Sequence, residues 1–316
     1  GNLEGTLKNL TIANATVNSY AYTGALVGRF NNGLIENCHV VDCTVSNTYW
    51  QGGILIGQVN AEGNGVTAIV RNCSVNNSSI TSKSAIGVIS GPVTATEGGA
   101  ITFNDCNIHN CTVIQQGSFG SNYDKYFGSM FGYTEADKDS RIDIKNCTAN
   151  NTTVKGETTA PISGDFDGII YINDSLVITS AEVLSDAIKK GGSYLLGADI
   201  AMIEATYQNI DFTLDGNGYT ISQVEGSTNT YALFDNVTGK ITLKNVKFAG
   251  IKGGAVLRTV GAETTIENVT IEGAETTQVQ GLLRLLGKNT IKNSTFKNNT
   301  CSMVITLNYD GANNDP

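Results

Sequence analysis

The sequence predicts an all-β solenoid of stacked parallel strands, and three observations predict it. Hydrophobic residues make up 40% of the 316 positions and charged residues only 16%, with 36 Gly and 3 Pro. Asn, Thr and Ser supply the polarity; helix formers are scarce and β-branched residues abundant, which favours strands. Second, one pattern recurs along the chain at intervals of about 28 to 41 residues. Third, when the copies are aligned, some columns never lose their apolar character while their neighbours vary. That is the mark of strands with one buried face.

The first five copies are LKNLTIANATV (7–17), IENCHVVDCTV (35–45), VRNCSVNNSSI (70–80), FNDCNIHNCTV (103–113) and IKNCTANNTTV (144–154). Each is followed by a second unit: GALVG (24–28), GILIG (53–57), GVISG (87–91), GSMFG (128–132) and APISG (160–164). The middle residues of those units, Leu26, Leu55, Ile89, Met130 and Ile162, are always apolar. Alternation then expects Leu55 to point inward and Ile54 and Ile56 to be less buried. A repeat this thin cannot bury its own face, so it must stack on the next as a coil. Stacking at roughly 4.8 Å per coil brings equivalent positions into columns. Asn14, Asp42, Asn77, Asn110 and Asn151 form one such column at a turn, where amides can bond between coils and Asn tolerates a left-handed backbone.

Six of the seven cysteines fall into two further columns. Leu10, Cys38, Cys73, Cys106 and Cys147 form the first; Ala15, Cys43, Ser78, Cys111 and Thr152 form the second. A position shared with Leu or Ala takes a small buried group, so free thiols are the expected state. A bridge between stacked neighbours such as Cys38 and Cys73 is geometrically open, but seven is odd and a continuous column offers no unique pairing. No paired C-x-x-C spacing points to a metal.

The second half shortens the period. LKNVKFAG (243–250), IENVTIEG (266–273) and IKNSTFKN (291–298) align on Asn245, Asn268 and Asn293, at spacings of 23 and 25. YALFDNVTG (231–239), AVLRTVG (255–261), LLRLLG (282–287) and MVITLN (303–308) form the companion strand, which puts Asp235, Arg258 and Arg284 in one column as a surface ion-pair ladder. Between the halves, residues 180–190 read as the single helix, with Thr179 as cap, Glu182 completing a capping box, Val183, Leu184, Ala187 and Ile188 as the apolar face, and Gly191-Gly192 as the stop. This helix is expected to cover the open end of the second core. Two segments follow, residues 1–167 and 168–316, stacked or in tandem.

GALVGRFNNGLIENC (24–38) resembles the GLUG repeat of bacterial cell-surface proteins, most clearly in the first two coils. The helix followed by YLLGADI and FTLDGNGYTI resembles the N-terminal cap of the pectate-lyase-like (pectin lyase-like) superfamily. Together these resemblances imply a right-handed parallel β-helix on a secreted or surface-attached, adhesin-like bacterial protein. They say little about chemistry, since that fold hosts lyases, hydrolases, adhesins and stalks alike.

A net charge of −9 excludes nucleic acid as a natural partner. No apolar run reaches the roughly 18 residues of a membrane span. The chain opens inside a repeat, so further residues are expected upstream. His39 and His109 are ordinary variants of repeat columns, and polygalacturonase-like Asp-Asp and Gly-His-Gly signatures are absent. Asp211 and Asp215 share a strand face, yet DGNG reads as a tight turn. Glu135, Asp137 and Asp139 read as a solvated loop rather than a calcium site. The sequons at Asn72, Asn110 and Asn268 arise wherever an Asn ladder precedes strand threonines. No catalytic residue, metal or cofactor is therefore expected, and a monomer is.

The remaining candidates are aromatic. Loops of three coils carry Tyr20 and Tyr22, then Tyr49 and Trp50, then Phe119, Tyr123, Tyr126 and Phe127, while the third coil has only TSKS. Exposed rings offer flat apolar area with a polar tip to sugars and proteins. Tyr20, Tyr22, Tyr49, Trp50, Tyr123 and Tyr126 are the expected contacts for a carbohydrate or a cell-surface protein, as two patches separated at TSKS. The other functional classes are a polysaccharide lyase or hydrolase and a passive stalk.

Overall fold

The computed structural model describes residues 1–157, 161–203, 205–206, 211–228, 231–276 and 281–307. Ala160 and Asn308, which bound two of the aligned segments, lie outside the described residues. The chain divides into two compact units, Gly1–Asp174 and Ser175–Pro316. Among the described residues the regular elements are strands apart from one helix, and the paired strands within each unit run parallel.

In the first unit every repeat contributes to three sheets. Asn2–Lys8 pairs with Val27–Glu36, and the rungs continue through Ile56–Glu62 with Thr67–Arg71, Ser90–Thr96 with Ala100–Asn104, and Phe131–Ala136 with Arg141–Lys145. A short second sheet stacks Thr11–Ala13, His39–Val41, Ser74–Asn76, Asn107–His109 and Thr148–Asn150. The third begins with Thr16–Thr23 on Thr44–Gly53 and runs through Ser79–Ser82, Thr112–Gln115 and Thr153–Val154. Phe166–Gly168 and Ile170–Ile172 pair onto the fifth rung and so belong to this unit. Inward residues such as Phe30, Val59, Val75, Ile80, Phe103 and Met130 are fully buried.

Asparagine makes the first two corners. Asn9, Asn37, Asn72, Asp105 and Asn146 all hold φ between 51° and 58°, and Asn14, Asp42, Asn77, Asn110 and Asn151 hold φ between 48° and 54°. Asn and Asp tolerate this left-handed conformation because their side chains bond locally. Between coils the amides form ladders: Asn37 donates to Asn9, Asn72 to Asn37, Asn110 to Asn77 and Asn151 to Asn110, at 2.8–3.2 Å. The sequon asparagines Asn72 and Asn110 therefore already spend their Nδ2 inside the stack.

The residue after each asparagine fills the corner, and this is where the thiols lie. Cys38, Cys43, Cys73, Cys106 and Cys111 are buried, Cys147 is half-buried, and all are free. Each Sγ donates to the carbonyl two residues earlier, at 3.2–3.5 Å. Ser78 and Thr152 make the same bond at 2.7 and 3.3 Å. Where these columns hold Cys, Ser or Thr, the small side chain also returns a hydrogen bond to the corner. In the first coil the column is Leu10, and it is 42% exposed.

The third corner is the G-x-x-x-G frame, and here the alternation expected from sequence fails. Ile54, Leu55 and Ile56 are all fully buried. The reason is that Thr44–Gly53 ends and Ile56–Glu62 begins inside the frame, so the chain turns rather than alternates. Ile54, Leu55 and Ile56 amides bond to carbonyls of Val88 and Ile89 in the next coil. A Cβ on Gly53 would strike the Ile56 carbonyl and the Ser90 backbone, and one on Gly57 would strike Tyr22 and Gly28. Both glycines are there for close approach.

In the second unit, Ala181–Lys190 is the helix. Its N-cap is Ser180, whose hydroxyl accepts from the Val183 amide at 3.3 Å, so the cap sits one residue later than Thr179 and Glu182 does not complete a box. Leu184, Ala187 and Ile188 are buried, whereas Val183 is 40% exposed. Gly191 stops the helix at φ 69°, donating to the Ala187 carbonyl. The helix shares one core with Leu196, Phe212, Leu214, Ile241, Phe248, Ile266 and Leu285. Leu214, Leu243, Ile266 and Ile291 stack in register, and Asn268 donates to Asn245 at 3.1 Å. At the corner that holds cysteines in the first unit stand Val246, Val269 and Ser294.

Candidate functional site

The loops that precede the glycine corner carry the aromatics, and the coil stacking brings them together. Tyr20 lies flat on Tyr49, centroids 4.7 Å apart at 6°. Tyr49 meets Phe119 edge-on at 5.1 Å; Phe119 meets Trp50 at 5.9 Å; Trp50 meets Tyr123 edge-on at 5.4 Å. Tyr123 continues to Tyr126 at 6.1 Å, and Tyr126 to Tyr133 at 4.9 Å. Tyr22 stands beside the chain of rings with the Arg29 guanidinium 3.5 Å above it.

The two patches expected from the gap at TSKS are thus one continuous belt. The loop of the fourth coil reaches across the third, placing Phe119 between Tyr49 and Trp50 on one side and Tyr123 on the other. Lys83, from TSKS itself, lies 5.5 Å from the Phe119 ring. Tyr133 was not among the candidates. Its signal was its outward position between buried Gly132 and Thr134 on an alternating strand.

The rings divide by exposure. Tyr20 is 65% exposed, and Tyr22, Tyr49 and Tyr123 are 36–38% exposed. Trp50, Phe119 and Tyr126 are half-buried and Phe127 is buried. Trp50 is therefore the spine of the belt and the tyrosines are its surface. Burial foremost raises the Tyr133 hydroxyl above its ordinary pKa.

Polar groups around this corner are unusually poorly matched. Thr23 Oγ1, Arg29 Nε, Trp50 Nε1 and Gln51 Oε1 are all buried without a hydrogen-bond partner. Among the described residues of the first unit they are the only side-chain atoms of that kind. The backbone is strained at the same place: Tyr22 and Gln51 hold φ of 52° and 61°, a region bulky residues avoid.

The other candidates have structural work. Asp211 accepts from the Lys240 amide at 2.8 Å. Asp215 accepts from the Asn217 amide and from Asn245 Nδ2, both at 3.0 Å, and pairs with Lys244. His39 lies between Ser74 and Asn37, at 2.8 and 3.1 Å. Asp137 accepts from the Glu97 and Asp139 amides, and its bond with Ser140 leads the causes that hold its carboxyl below the ordinary range. Among the described residues no group of three or more His, Cys, Asp or Glu is placed to hold a metal, and no helix is long and apolar enough to cross a membrane.

One pair differs from its expected setting. Asp235 and Arg258 form a two-contact ion pair, with Arg258 Nη2 2.7 Å from Asp235 Oδ2. Their side chains are only 4% and 16% exposed, so this is a buried bridge, not a surface ladder. Arg258 also stacks on Tyr231 at 4.6 Å.

No protein-family model matches the chain, and no curated protein or solved structure matches it either. The geometry of the aromatic belt carries the functional argument.

Proposed function

We propose that this chain is a non-catalytic, right-handed parallel β-helix of a secreted or cell-surface bacterial protein, and that the aromatic belt binds carbohydrate in an adhesin-like role. Right-handedness is supported by strand physics, because a connection between parallel strands of one twisted sheet is right-handed in nearly all proteins. The GLUG-like frames support the surface assignment. The observation that carries the binding reading is the belt itself: a continuous run of rings whose outermost member, Tyr20, is 65% exposed. Such a surface is expensive to leave in water unless it meets a flat, partly apolar partner. Sugar rings match it, with C–H faces for the rings and hydroxyls for the tyrosine tips.

Each stacked ring contributes on the order of 1 kcal/mol beyond its buried area, so affinity requires several rings at once. Tyr20→Ala should weaken binding to an oligosaccharide array several-fold, with melting temperature unchanged, because Tyr20 is the outermost ring and touches only Tyr49 among the rings. Trp50→Ala should lower both binding and melting temperature, because Trp50 packs between Phe119 and Tyr123. If no oligosaccharide binds at millimolar concentration, the reading fails.

A further inference from the structure

We infer that the aromatic belt selects an acidic sugar, one bearing a carboxylate or a sulphate ester, and this rests on the belt being a carbohydrate site. The first observation is where the cations lie. Residues 1–174 carry nine Lys or Arg and fifteen Asp or Glu. Four of the nine cations sit against belt rings or their flanking phenylalanine: Arg29 on Tyr22 at 3.5 Å, Lys83 on Phe119 at 5.5 Å, Lys125 on Tyr126 at 5.1 Å and Lys155 on Phe127 at 5.1 Å. Five of the fifteen carboxylates are nearby. Two of these are already engaged: Asp124 accepts from Gln115 and Ser118, and Asp165 pairs with Lys125. Of the other three, Glu135 and Asp167 face each other on adjacent rungs of the neighbouring sheet, and Glu157 is bridged through its backbone to Val154 beside Lys155. An acidic unit thus gathers nearly half its positive charge at one edge.

The second observation is independent of charge. The orphaned polar atoms of the unit converge on this same corner, and they comprise the Arg29 and Trp50 N–H donors, the Thr23 hydroxyl and one acceptor, Gln51 Oε1. Buried polar atoms left unmatched are costly, so their clustering marks a place built for a partner. The partner they describe is rich in acceptors and carries at least one hydroxyl. A uronic acid or a sulphated sugar has both features, and charge-assisted bonds to its anion are about twice as strong as neutral ones. The cations cover ring faces at Tyr22, Phe119, Tyr126 and Phe127, and Tyr49 is covered by Tyr20, which leaves Tyr20 and Tyr123 to meet the sugar.

Titration calorimetry of the whole chain with three hexasaccharides tests this: chitohexaose (neutral), a hyaluronan hexamer (carboxylate only) and a chondroitin sulphate hexamer (carboxylate and sulphate). At least one acidic hexamer should bind about tenfold more tightly than the neutral one. That margin should collapse in 1 M NaCl, where the screening length falls to about 3 Å. Lys125→Gln and Lys155→Gln, both at exposed positions, should each lower acidic binding about threefold and leave neutral binding unchanged. The ratio between the two acidic hexamers tells carboxylate from sulphate recognition. Equal binding of all three would overturn the selectivity and leave the carbohydrate site standing. Binding of none would overturn both.

Discussion

The two units build the same corner from different chemistry. After the asparagine of each rung, the first unit places Cys38, Cys73, Cys106 and Cys147, and the second places Val246, Val269 and Ser294. The backbone is the same: φ near 53° at the preceding asparagine, then a buried or half-buried side chain. A position that accepts thiol, hydroxyl and isopropyl is asking for volume first and a hydrogen bond second. The thiols are consequently structural. The units differ again where they spend charge. The first keeps its ion pairs at the surface, as in Lys8–Glu36–Arg71; the second buries Asp235 against Arg258.

The glycine frame is where this comparison breaks most sharply, because it belongs to the first unit alone. Leu55→Asp, Ile54→Asp and Ile56→Asp should each cost on the order of 4 kcal/mol or more, since each puts a carboxylate into a corner with no partner. Chemical denaturation followed by circular dichroism would measure it. Were Ile54→Asp or Ile56→Asp tolerated, the corner would be a simple alternating strand after all.

The buried pair of the second unit comes next. Asp235→Ala should cost about 3–5 kcal/mol, because it strands a buried guanidinium. Asp235→Leu combined with Arg258→Met should recover most of that loss in the same denaturation experiment. Failure of the double variant to recover would mean that the pair also holds neighbouring strands in register.

The thiol corner should yield a smaller effect. Cys43 donates to the Val41 carbonyl and accepts from the Ala15 amide, and Ser78 makes the equivalent bonds in the next rung. Cys43→Ser should therefore stay within about 1 kcal/mol of the parent, and Cys43→Ala should lose about 1 kcal/mol more. Burial pushes the Cys38 and Cys111 thiols up, and bonds to Cys147 and Cys73 raise Cys106 further. A thiol reagent should reach half-buried Cys147 and Cys301 first and the other five only on unfolding. Rapid native labelling of Cys106 would refute the inward column.

Most of this architecture was legible because a solenoid turns tertiary contacts into sequence columns. The Asn14–Asp42–Asn77–Asn110–Asn151 ladder and the Asn245–Asn268–Asn293 register are visible in alignment alone. What escaped was what breaks periodicity. Ile54 and Ile56 read as strand neighbours of Leu55 until the chain is seen to turn there. Ser180 rather than Thr179 caps the helix, since either residue type can do it. In the belt, five of the six expected rings fall in one run of contacts with Tyr22 beside it, and its continuity depends on a long loop folding back over another rung. Tyr133 belongs to the strand Phe131–Ala136, outside the loops that carry the other rings.

The finest comparison is between two carboxylates in equivalent electrostatic settings. Glu36 lies between Lys8 and Arg71 in the first unit, and Glu272 between Lys247 and Lys297 in the second. Hydrogen bonds from Lys8 and then Arg71 hold the Glu36 carboxyl below its ordinary value of 4.5, and Lys247 and then Lys297 do the same for Glu272. A depressed folded pKa contributes stability above the unfolded value, and that stability is lost as pH falls through the folded value. Both groups are solvent-exposed, so the effect is the smallest of the set and falls with salt. Melting of Glu36→Gln and Glu272→Gln should sit slightly below the parent at pH 7 and converge with it below about pH 4, where the parent carboxyls also become neutral. One molar salt should erase the pH 7 difference in both. A gap that persisted at pH 2 would show that the methylenes and hydrogen bonds of the triad, not its charge, tie the rungs together. A gap in one unit only would show that the two ladders, alike in geometry, differ in how far they couple to the coils beneath them.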